Sequence, residues 1–442
     1  MKKKVLTFAI MFLALFLPQL AHAVTEVETG AVTQPFSGLY YNPTGIAING
    51  YLYIYVQGIN AECQNALGKQ QGDVINAFRA PLQADGTPGT FVKIGRISPC
   101  AVYPPNPSIL ASFGPGQIFK ATWKGTTGYH LLVDMSDFFG FYEIWHGWTT
   151  DGLSWTWEVT GQSSCPAGQT CSDPVTPGGT PARTITWKGV SQPLLSVDST
   201  IGRLILNPVM MATNGGVNNA EWWGYLKYWD GQFNTMGMRV LFDANGNPSV
   251  YLQSTLTTPF GYTQVANNRI TSTSQFLPLI PNYNAKSLLF DSLSGVYQLW
   301  GSSNVSGIFG QWVGCAPGYT TTSVVTCQSG NNFGCPTGKC MIFGTCQPVG
   351  TQAVAFDSNT YTFQMGQSFY WYQADRFSLG AQQWVGSLSR YLPSGYSGSR
   401  DFPFRWNASN GKRFLFSSTA DAAICSQFSA LPYIVKSEVV RQ

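Results

Sequence analysis

The stretch that most constrains the fold of this chain is residues 129–157, which contain two strand-like segments and the beginning of a third. Residues 129–133 are apolar enough for a buried strand, and residues 141–148 alternate aromatic or apolar side chains with others. The turn sequence Thr-Asp-Gly at 150–152 then leads into a strand that begins at Ser154. Consecutive strands joined by glycine turns predict a β-rich chain.

The same order of strands and turns recurs along the chain, and no segment with helical periodicity longer than two or three turns competes with it. Radial repetition of strand-rich units protects the edges of their sheets. The recurrence therefore predicts an all-β chain, a five-bladed β-propeller whose first and last units close the ring, with a disulfide-rich insert. The five units cover residues 45–86, 117–152, 204–246, 287–388 and 402–416, and the insert covers residues 315–346.

The N-terminus has the features of a secretory signal peptide at residues 1–23. Three lysines at 2–4 precede an apolar run at 5–17, and Ala21, His22 and Ala23 provide a small-residue cleavage signal. The run is shorter than the roughly 20 residues that span a bilayer, so we expect no membrane span after processing; a retained anchor is the alternative. Residues 24–442 would then form a single domain that is secreted, periplasmic or at the cell surface.

Charge and composition exclude several classes of function. The chain has 25 basic and 21 acidic residues, and 22 basic residues remain without the three lysines of the leader. No Lys/Arg cluster could follow a phosphate backbone, so no nucleic acid partner is expected. The chain is 10% charged and 14% aromatic, which is typical of an exported β protein. It contains no phosphate loop, dinucleotide fingerprint or G-x-S-x-G elbow, and no cofactor is expected.

Ten cysteines follow the leader, and an even number in an exported chain indicates disulfides. Cys165 and Cys171 are close enough in sequence to close a small loop. Cys63 and Cys100 both precede the second unit and are natural partners. One cysteine of the insert is then expected to reach Cys425. The ten are Cys63, Cys100, Cys165, Cys171, Cys315, Cys327, Cys335, Cys340, Cys346 and Cys425.

Metal binding is the alternative use of these cysteines. Cys335 and Cys340 have a zinc-like spacing, but a zinc site would need a second close pair and reduced thiols, which export disfavours. The histidines beyond the leader, His130 and His146, lie in strand-like segments, and no H-E-x-x-H motif is present. We therefore expect no metal site and interpret both histidines as structural.

Three short motifs resemble one known family. Residues 149–155, TTDGLSW, match a strand that ends in S/T-x-D-G-x-x-W, and residues 80–86, APLQADG, resemble the same strand of another unit. Asn42-Pro43-Thr44, followed by Gly-Tyr-Leu-Tyr at 50–53, resembles the opening of a first blade. These motifs and the strand rhythm resemble the five-bladed β-propeller glycosidases that include arabinanases and β-xylosidases. The resemblance implies a polysaccharide or glycan as the partner.

The resemblance also implies a mechanism and raises a question about it. The family works with carboxyl groups that face a central funnel, where one donates a proton as another activates water. The position that resembles the family's aspartate base is Asn42, and an amide cannot accept that proton. Two functions therefore stay open: a glycoside hydrolase that acts on a polysaccharide, and a non-catalytic propeller that binds glycan or protein at the cell surface.

Three carboxyl groups on predicted strands are the candidate catalytic residues. Glu221 opens an aromatic strand and is the candidate proton donor, because burial among aromatic rings would hold its proton near neutral pH. Asp134 and Asp291 are the candidate partners, one of which would replace the aspartate missing at Asn42. The alternative for both aspartates is a structural role, capping a strand end or bonding to turn amides.

Aromatic side chains beside Glu221 are the candidate ligand-binding residues. Sugars present C–H faces to aromatic rings and hydroxyl groups to amides, so Trp222, Trp223 and Tyr225 could form a platform, with Asn42 as a polar contact. The alternative for each ring is packing in the core of a blade, where large side chains dominate.

Overall fold

The computed structural model describes most of the chain. It covers residues 26–58, 74–100, 111–137, 142–303, 368–387, 397–421 and 431–441, with short gaps at 39, 161–164, 166, 173–181, 214–215, 231–232 and 293. Between residues 304 and 367 only short strand segments are described. The leader predicted at residues 1–23 lies outside the described residues.

Strands dominate the described chain, which confirms the all-β prediction. Its helices are the short 3₁₀ segments Ser199–Ile201, Ala266–Asn268 and Thr273–Gln275, and no helix in the described part is long and apolar enough to cross a membrane. The strands are β1 (Glu26–Thr33), β2 (Tyr41–Ile48), β3 (Tyr51–Gly58), β4 (Val74–Pro81), β5 (Val92–Arg96), β6 (Ala111–Trp123), β7 (Thr126–Asp137), β8 (Tyr142–Thr149), β9 (Ser154–Thr160), β10 (Thr170–Ser172), β11 (Thr184–Val190), β12 (Leu195–Val197), β13 (Leu204–Ala212), β14 (Glu221–Trp229), β15 (Phe233–Phe242), β16 (Pro248–Gln253), β17 (Tyr262–Gln264), β18 (Arg269–Ile270), β19 (Ile280–Pro281), β20 (Tyr283–Asp291), β21 (Val296–Ser303), β22 (Phe309–Gln311), β23 (Thr321–Thr326), β24 (Lys339–Ile342), β25 (Thr345–Pro348), β26 (Gln352–Phe356), β27 (Thr362–Gln364), β28 (Ser368–Ala374), β29 (Leu379–Ser387), β30 (Ser397–Asn407), β31 (Arg413–Asp421) and β32 (Leu431–Arg441).

The larger sheets have a β-propeller arrangement. Four of them are blades built from strands in chain order: blade 1 is β2–β5, blade 2 is β6–β9, blade 3 is β13–β16, and blade 4 is β20, β21, β28 and β29. The shorter strands β10–β12 and β18 add to blade 2, and β17 and β19 add to blade 3. Within the described residues four such blades are seen, whereas the sequence predicts five.

The remaining four-stranded sheet joins the two ends of the described chain. Its order is β1-β32-β31-β30, and we call it the terminal sheet. β1 pairs antiparallel with β32, so that Glu26 lies opposite Arg441. A strand from one end of the chain therefore completes a sheet whose other strands come from the opposite end.

Apolar clusters of described residues join neighbouring sheets. Burial of large side chains in these clusters supplies the main favourable free energy of folding. The clusters contain Tyr55 and Trp155 between blades 1 and 2, Phe119 and Trp222 between blades 2 and 3, Tyr225 and Leu288 between blades 3 and 4, Trp371 and Leu415 between blade 4 and the terminal sheet, and Phe78 and Phe416 between the terminal sheet and blade 1.

The innermost strands β2, β6, β13, β20 and β30 contact one another around the axis. Each has an irregularity in its pairing with the next strand, and in four of them a proline lies at that point. Proline cannot donate to a strand ladder and is tolerated at such bulges. The irregularities lie between Tyr41 and Thr44, Pro115 and Ile118, Leu206 and Val209, Ala285 and Ser287, and Asp401 and Phe404.

The two ends of the propeller differ in their connections. At one end, here called the turn end, the first strand of each blade joins the second, and the third joins the fourth. These links are short, such as residues 49–50 in blade 1 and 150–153 in blade 2. At the opposite loop end the second strand joins the third, with links at residues 59–73 and 304–367. The predicted insert at 315–346 falls within the second of these links and lies largely outside the described residues.

Aromatic side chains fasten neighbouring sheets at the turn end. In each case an N–H or O–H group donates to a backbone oxygen in the turn between the third and fourth strands of the next blade. We call these four contacts turn latches. They are Trp406 Nε1 to Gly86 O (3.3 Å), Tyr53 Oη to Asp151 O (3.3 Å), Trp123 Nε1 to Gly246 O (3.1 Å) and Tyr225 Oη to Asp375 O (3.3 Å).

One predicted disulfide is confirmed. Cys165 and Cys171 are bonded, with their Cα atoms 5.7 Å apart. Cys100 is also disulfide-bonded, but its expected partner Cys63 lies outside the described residues, as do Cys315, Cys327, Cys335 and Cys425. Only the backbones of Cys340 and Cys346 are described. The other predicted pairings and the disulfide-rich insert remain predictions.

Candidate functional site

Asn42 lies on β2 where this strand approaches the axis near the loop end. Its backbone has φ +57°, and its side chain is 2% exposed. The backbone N–H donates to Ser418 Oγ of the terminal sheet (2.8 Å), and Nδ2 donates to Gln57 Oε1 (3.1 Å). Oδ1 has no hydrogen-bond partner among the described residues. A buried acceptor of this kind costs free energy unless a water or ligand supplies a donor.

Asp134 on β7 lies beside Asn207 of blade 3. Its Oδ1 accepts from the backbone N–H of Asn207 (2.9 Å) and from its Nδ2 (2.6 Å). Burial raises the pKa of Asp134 to about 6, although the Asn207 amide and the positive charges of Lys227 and Lys286 act in the opposite direction. Asp134 is therefore a buried carboxyl group that can change its protonation state near neutral pH.

The close approach of this pair to β6 depends on a glycine. A Cβ on Gly114 would lie 2.5 Å from Asp134 Oδ1 and 2.6 Å from Asn207 Nδ2. These separations are well below van der Waals contact, so any larger residue would displace the pair. Polar groups from two neighbouring strands thus occupy the space that a side chain at position 114 would need.

Hydrogen bonds across the axis join blades 2 and 4 on the turn-end side of Asn42. Gln117 Nε2 donates to Leu288 O (2.6 Å), and the backbone N–H of Leu288 donates to Gln117 Oε1. Lys286 Nζ donates to Pro115 O (2.6 Å). Gln117 and Lys286 are both buried. Side chains therefore bridge blades 2 and 4 across the axis at this level.

Glu221 is held at the turn end between blades 3 and 4. Arg239 Nε donates to its Oε1 (2.5 Å), and Arg376 Nη1 donates to its Oε2 (2.5 Å). The Arg239 guanidinium lies between the rings of Tyr262 and Phe377, 5.2 and 5.0 Å from their centroids. With both oxygens engaged by cations, Glu221 is not placed as a proton donor. The geometry instead gives it a structural role.

Asp291 ends β20 and belongs to another boundary, between blade 4 and the terminal sheet. Its Oδ2 accepts from Ser294 Oγ (2.6 Å), and its Oδ1 lies 3.6 Å from Arg413 and 3.9 Å from Arg405. These contacts fit the structural alternative of bonding within a turn. In the described contacts Glu221, Asp134 and Asp291 each have separate partners, and none contacts another.

The aromatic platform expected beside Glu221 stays a prediction, and its three residues are buried in this structure. Trp222, Trp223 and Tyr225 are 1%, 4% and 1% exposed. Trp222 packs edge-on against Phe119 of blade 2 at 5.0 Å, and Tyr225 forms a turn latch. β14 is the second strand of its blade and lies between two neighbouring sheets, so both of its faces are buried. These rings pack in the core and at the boundaries between blades, and Asn42 remains the proposed ligand contact.

Sequence reasoning missed Asn207, Gln117 and Lys286. A signal for the first was present, since Asn207-Pro208 repeats the Asn42-Pro43 pair at the same place in another innermost strand. Gln117 and Lys286 had no comparable signal, because each contacts a backbone group 171 residues away. Among the described residues, no group of three or more His, Cys, Asp or Glu side chains could hold a metal ion.

The chain matches no protein-family model and no curated protein. Solved structures similar to it include a family 43 β-xylosidase/α-arabinofuranosidase from a compost microbial metagenome, with 11% identity, a TM-score of 0.38, and coverage of 93% of this chain and 94% of that one. Another is an α-L-arabinofuranosidase from Podospora anserina, with 10% identity, a TM-score of 0.40 and coverage of 95% and 97%.

A third similar structure is a family 117 glycoside hydrolase from the marine bacterium Zobellia galactanivorans. Its identity is 9%, its TM-score is 0.40, and the match covers 95% of this chain and 91% of that one. These proteins belong to the class of β-propeller glycosidases that the motifs and strand rhythm of the sequence resemble.

Proposed function

We propose that this chain is an exported, non-hydrolytic β-propeller that binds a glycan at its loop end. The observation that carries the proposal is Asn42, an amide in the position that resembles the family's aspartate base. Its buried Oδ1 has no partner among the described residues and can accept a hydrogen bond from a sugar hydroxyl. It cannot take up the proton that activation of water requires.

The other candidate groups support binding over hydrolysis. Glu221 is neutralised by Arg239 and Arg376 at the turn end, and Asp291 is held within a different boundary. The family mechanism needs two carboxyl groups that flank one bond, about 5 to 10 Å apart. The resemblance to glycosidase propellers supports a glycan as the ligand, and the leader at residues 1–23 supports export to the cell surface or beyond.

The alternative of a glycoside hydrolase is favoured by one observation, the buried Asp134. A carboxyl group whose pKa is raised to about 6 can donate a proton near neutral pH. In that case Asp134, and not Glu221, would be the proton donor. Asp134→Asn would then abolish sugar release, whereas Glu221→Gln would leave turnover by the folded fraction unchanged.

We also propose that the terminal sheet is the fifth blade. It packs through Leu415 against blade 4 and through Phe416 against blade 1. Its innermost strand β30 carries the same irregularity as the other innermost strands, and its Trp406 forms a turn latch onto blade 1. β1 and β32 meet where the other blades have the turn between their third and fourth strands, and no turn latch to this sheet is seen among the described residues.

The function can be tested with the exported protein and a panel of polysaccharides that includes arabinan and xylan. Affinity electrophoresis measures binding, and a reducing-sugar assay measures hydrolysis. Asn42→Gly removes the amide while keeping φ +57° accessible, and should weaken binding by about 10-fold or more, since a buried hydrogen bond contributes roughly 1.4 kcal/mol or more. Asn49→Gly is the matched control, because Asn49 also has positive φ but lies in the β2–β3 turn at the turn end.

Binding without sugar release, lost in Asn42→Gly and kept in Asn49→Gly, is the expected result. Sugar release by the parent that disappears in Asp134→Asn would establish the hydrolase instead. Failure to bind any polysaccharide of the panel would overturn the glycan assignment.

A further inference from the structure

The two histidines beyond the leader form a direct pair inside blade 2. His130 Nδ1 lies 2.9 Å from His146 Nε2, and the rings are stacked with centroids 5.1 Å apart. His146 Nδ1 lies 3.8 Å from Glu158 Oε2 on β9. The histidines are 1% and 5% exposed, whereas the Glu158 side chain is 24% exposed. The three groups form a line from the protein surface into the boundary with blade 3.

This line ends against the turn latch between blades 2 and 3. Trp123, which donates to Gly246 O, packs edge-on against His146 at 4.9 Å and His130 at 6.3 Å. From blade 3, Trp222 contacts His130 at 5.1 Å and His146 at 5.4 Å. His130 Nε2 is buried, and a backbone hydrogen bond with Ala121 acts against burial by favouring the protonated form of this histidine.

The charges around the pair all lie on the blade 2 side. They are Glu158, Lys188 on β11 and Lys124 in the β6–β7 turn. The described contacts from blade 3 are aromatic and apolar, with Phe242 against Trp222. Burial raises the pKa of Glu158, but His146 and the two lysines outweigh this and lower it, so Glu158 is ionised near neutral pH. The carboxylate can balance one proton on the pair, while no described acid faces a second.

We propose that the His130–His146–Glu158 line is an acid-sensitive lock on the contact between blades 2 and 3. With one proton or none, the two imidazoles share a hydrogen bond and pack behind Trp123. A second proton leaves no acceptor between the facing nitrogens and places two cations 5.1 Å apart in an aromatic environment. The pair must then separate, and the turn latch from Trp123 to Gly246 opens with it.

The direction of the pH effect follows from the burial of His130. Burial first, and the neighbouring His146 second, lower the pKa of His130 well below 6.5. The unfolded chain therefore takes up this proton at a higher pH than the folded chain. Stability due to the neutral histidine is fully present above pH 6.5 and is lost as the pH falls below that value.

The test compares the parent with His130→Gln, which keeps a polar side chain but cannot be protonated. Denaturant unfolding of both at pH 7 and pH 5 gives the ratio of their unfolding equilibrium constants. The unfolding equilibrium constant of the parent divided by that of the variant should be up to about 25-fold larger at pH 5 than at pH 7. A ratio that does not change with pH would overturn the proposal. The comparison removes the contributions of other titrating groups, because both chains share them.

A second measurement on the parent alone covers the case in which His130→Gln does not fold. Hydrogen exchange at residues 245–247, in the turn held by Trp123, should become faster at pH 5 than at pH 7 after correction for the intrinsic rate. The turn at residues 375–378, held by Tyr225 without a histidine nearby, is the internal control and should not change. Equal behaviour of the two turns would contradict an acid-sensitive lock.

Discussion

The turn end and the loop end of the propeller differ in the polar contacts that they show. At the turn end neighbouring hairpins bind one another, as where Asn410 N–H donates to Asp85 O (3.1 Å) and Lys124 N–H donates to Asn218 Oδ1 (2.7 Å). Toward the loop end, the buried Oδ1 of Asn42 has no partner among the described residues. Completed pairing stabilises a structure, whereas an unused buried acceptor is available to a ligand.

The carboxyl groups follow the same division. Glu221 at the turn end has a guanidinium group on each oxygen and ties blade 4 to blade 3. Asp134, nearer the loop end, has amide donors on one oxygen and a raised pKa. Aromatic neighbours alone therefore do not identify a proton donor, because the groups that pair with a carboxyl group come from distant parts of the chain.

The largest expected effect concerns the pH dependence of Asp134. Its pKa rises from 3.8 to about 6 on folding, so its contribution to stability is fully present below pH 3.8 and is lost as the pH rises through 6. Asp134→Asn cannot ionise. The free energy of unfolding of the parent relative to this variant should therefore fall by roughly 2–3 kcal/mol between pH 4 and pH 7. Denaturant titrations at both pH values measure it, and a constant difference would contradict a buried, titrating Asp134.

The next prediction tests whether the ion pairs of Glu221 stabilise the turn end. Glu221→Gln leaves Arg239 and Arg376 without their carboxylate and should lower the free energy of unfolding by about 2 kcal/mol, a value reduced from that of a fully buried pair because Arg376 is 41% exposed. The control at the loop end is Asp198→Asn, whose ion pair with Arg269 is more exposed and should contribute about 0.5 kcal/mol. Equal losses in the two variants would remove the distinction between the ends.

A turn latch has a smaller effect. Tyr225→Phe removes only the hydroxyl that donates to Asp375 O and should lower stability by about 1 kcal/mol. Tyr251→Phe is the matched control, since its hydroxyl makes an exposed contact of 3.4 Å with Gln264 Oε1 and should change stability by less than about 0.3 kcal/mol. Thermal unfolding of both variants tests whether the latches stabilise blade contacts; a neutral Tyr225→Phe would show that they do not.

The smallest expected change in stability is at Asn42. Asn42→Gly loses the hydrogen bond to Gln57 but also removes the unpaired Oδ1 and relieves the positive φ. These effects oppose one another, so the free energy of unfolding should stay within about 0.5 kcal/mol of the parent. Calorimetry checks this value. A loss of several kcal/mol would show that Asn42 stabilises the fold, and would contradict its assignment as a ligand contact at the loop end.

Much of the fold could be predicted from the sequence because each strand carries a local signal. The strand expected to begin at Ser154 is β9, which begins at that residue. The expected turn at residues 150–152 separates β8 from β9. The strands β1 and β32 were not expected, since each pairs with a segment from the other end of the chain. The sequence alone therefore carries no local signal for a sheet that combines strands from both ends of the chain.

The candidate site was harder to predict, because its contacts join distant residues. Glu221 looked suited to proton donation from its aromatic neighbours, yet Arg376, 155 residues away, sets its role. Asp134 was identified as a candidate, but its partner Asn207 lies 73 residues along the chain. Periodicity shows that β14 is apolar on both faces without showing that neighbouring blades cover both faces.

Hydrogen exchange of the exported protein with and without a bound polysaccharide tests the central claim most directly. A bound glycan should slow exchange at the loop end, in the first residues of β2 around Asn42 and in the adjoining end of β3. Exchange in the turns at residues 150–153 and 243–247 should not change. Slower exchange in those turns, with none around Asn42, would contradict the assignment of binding to the loop end.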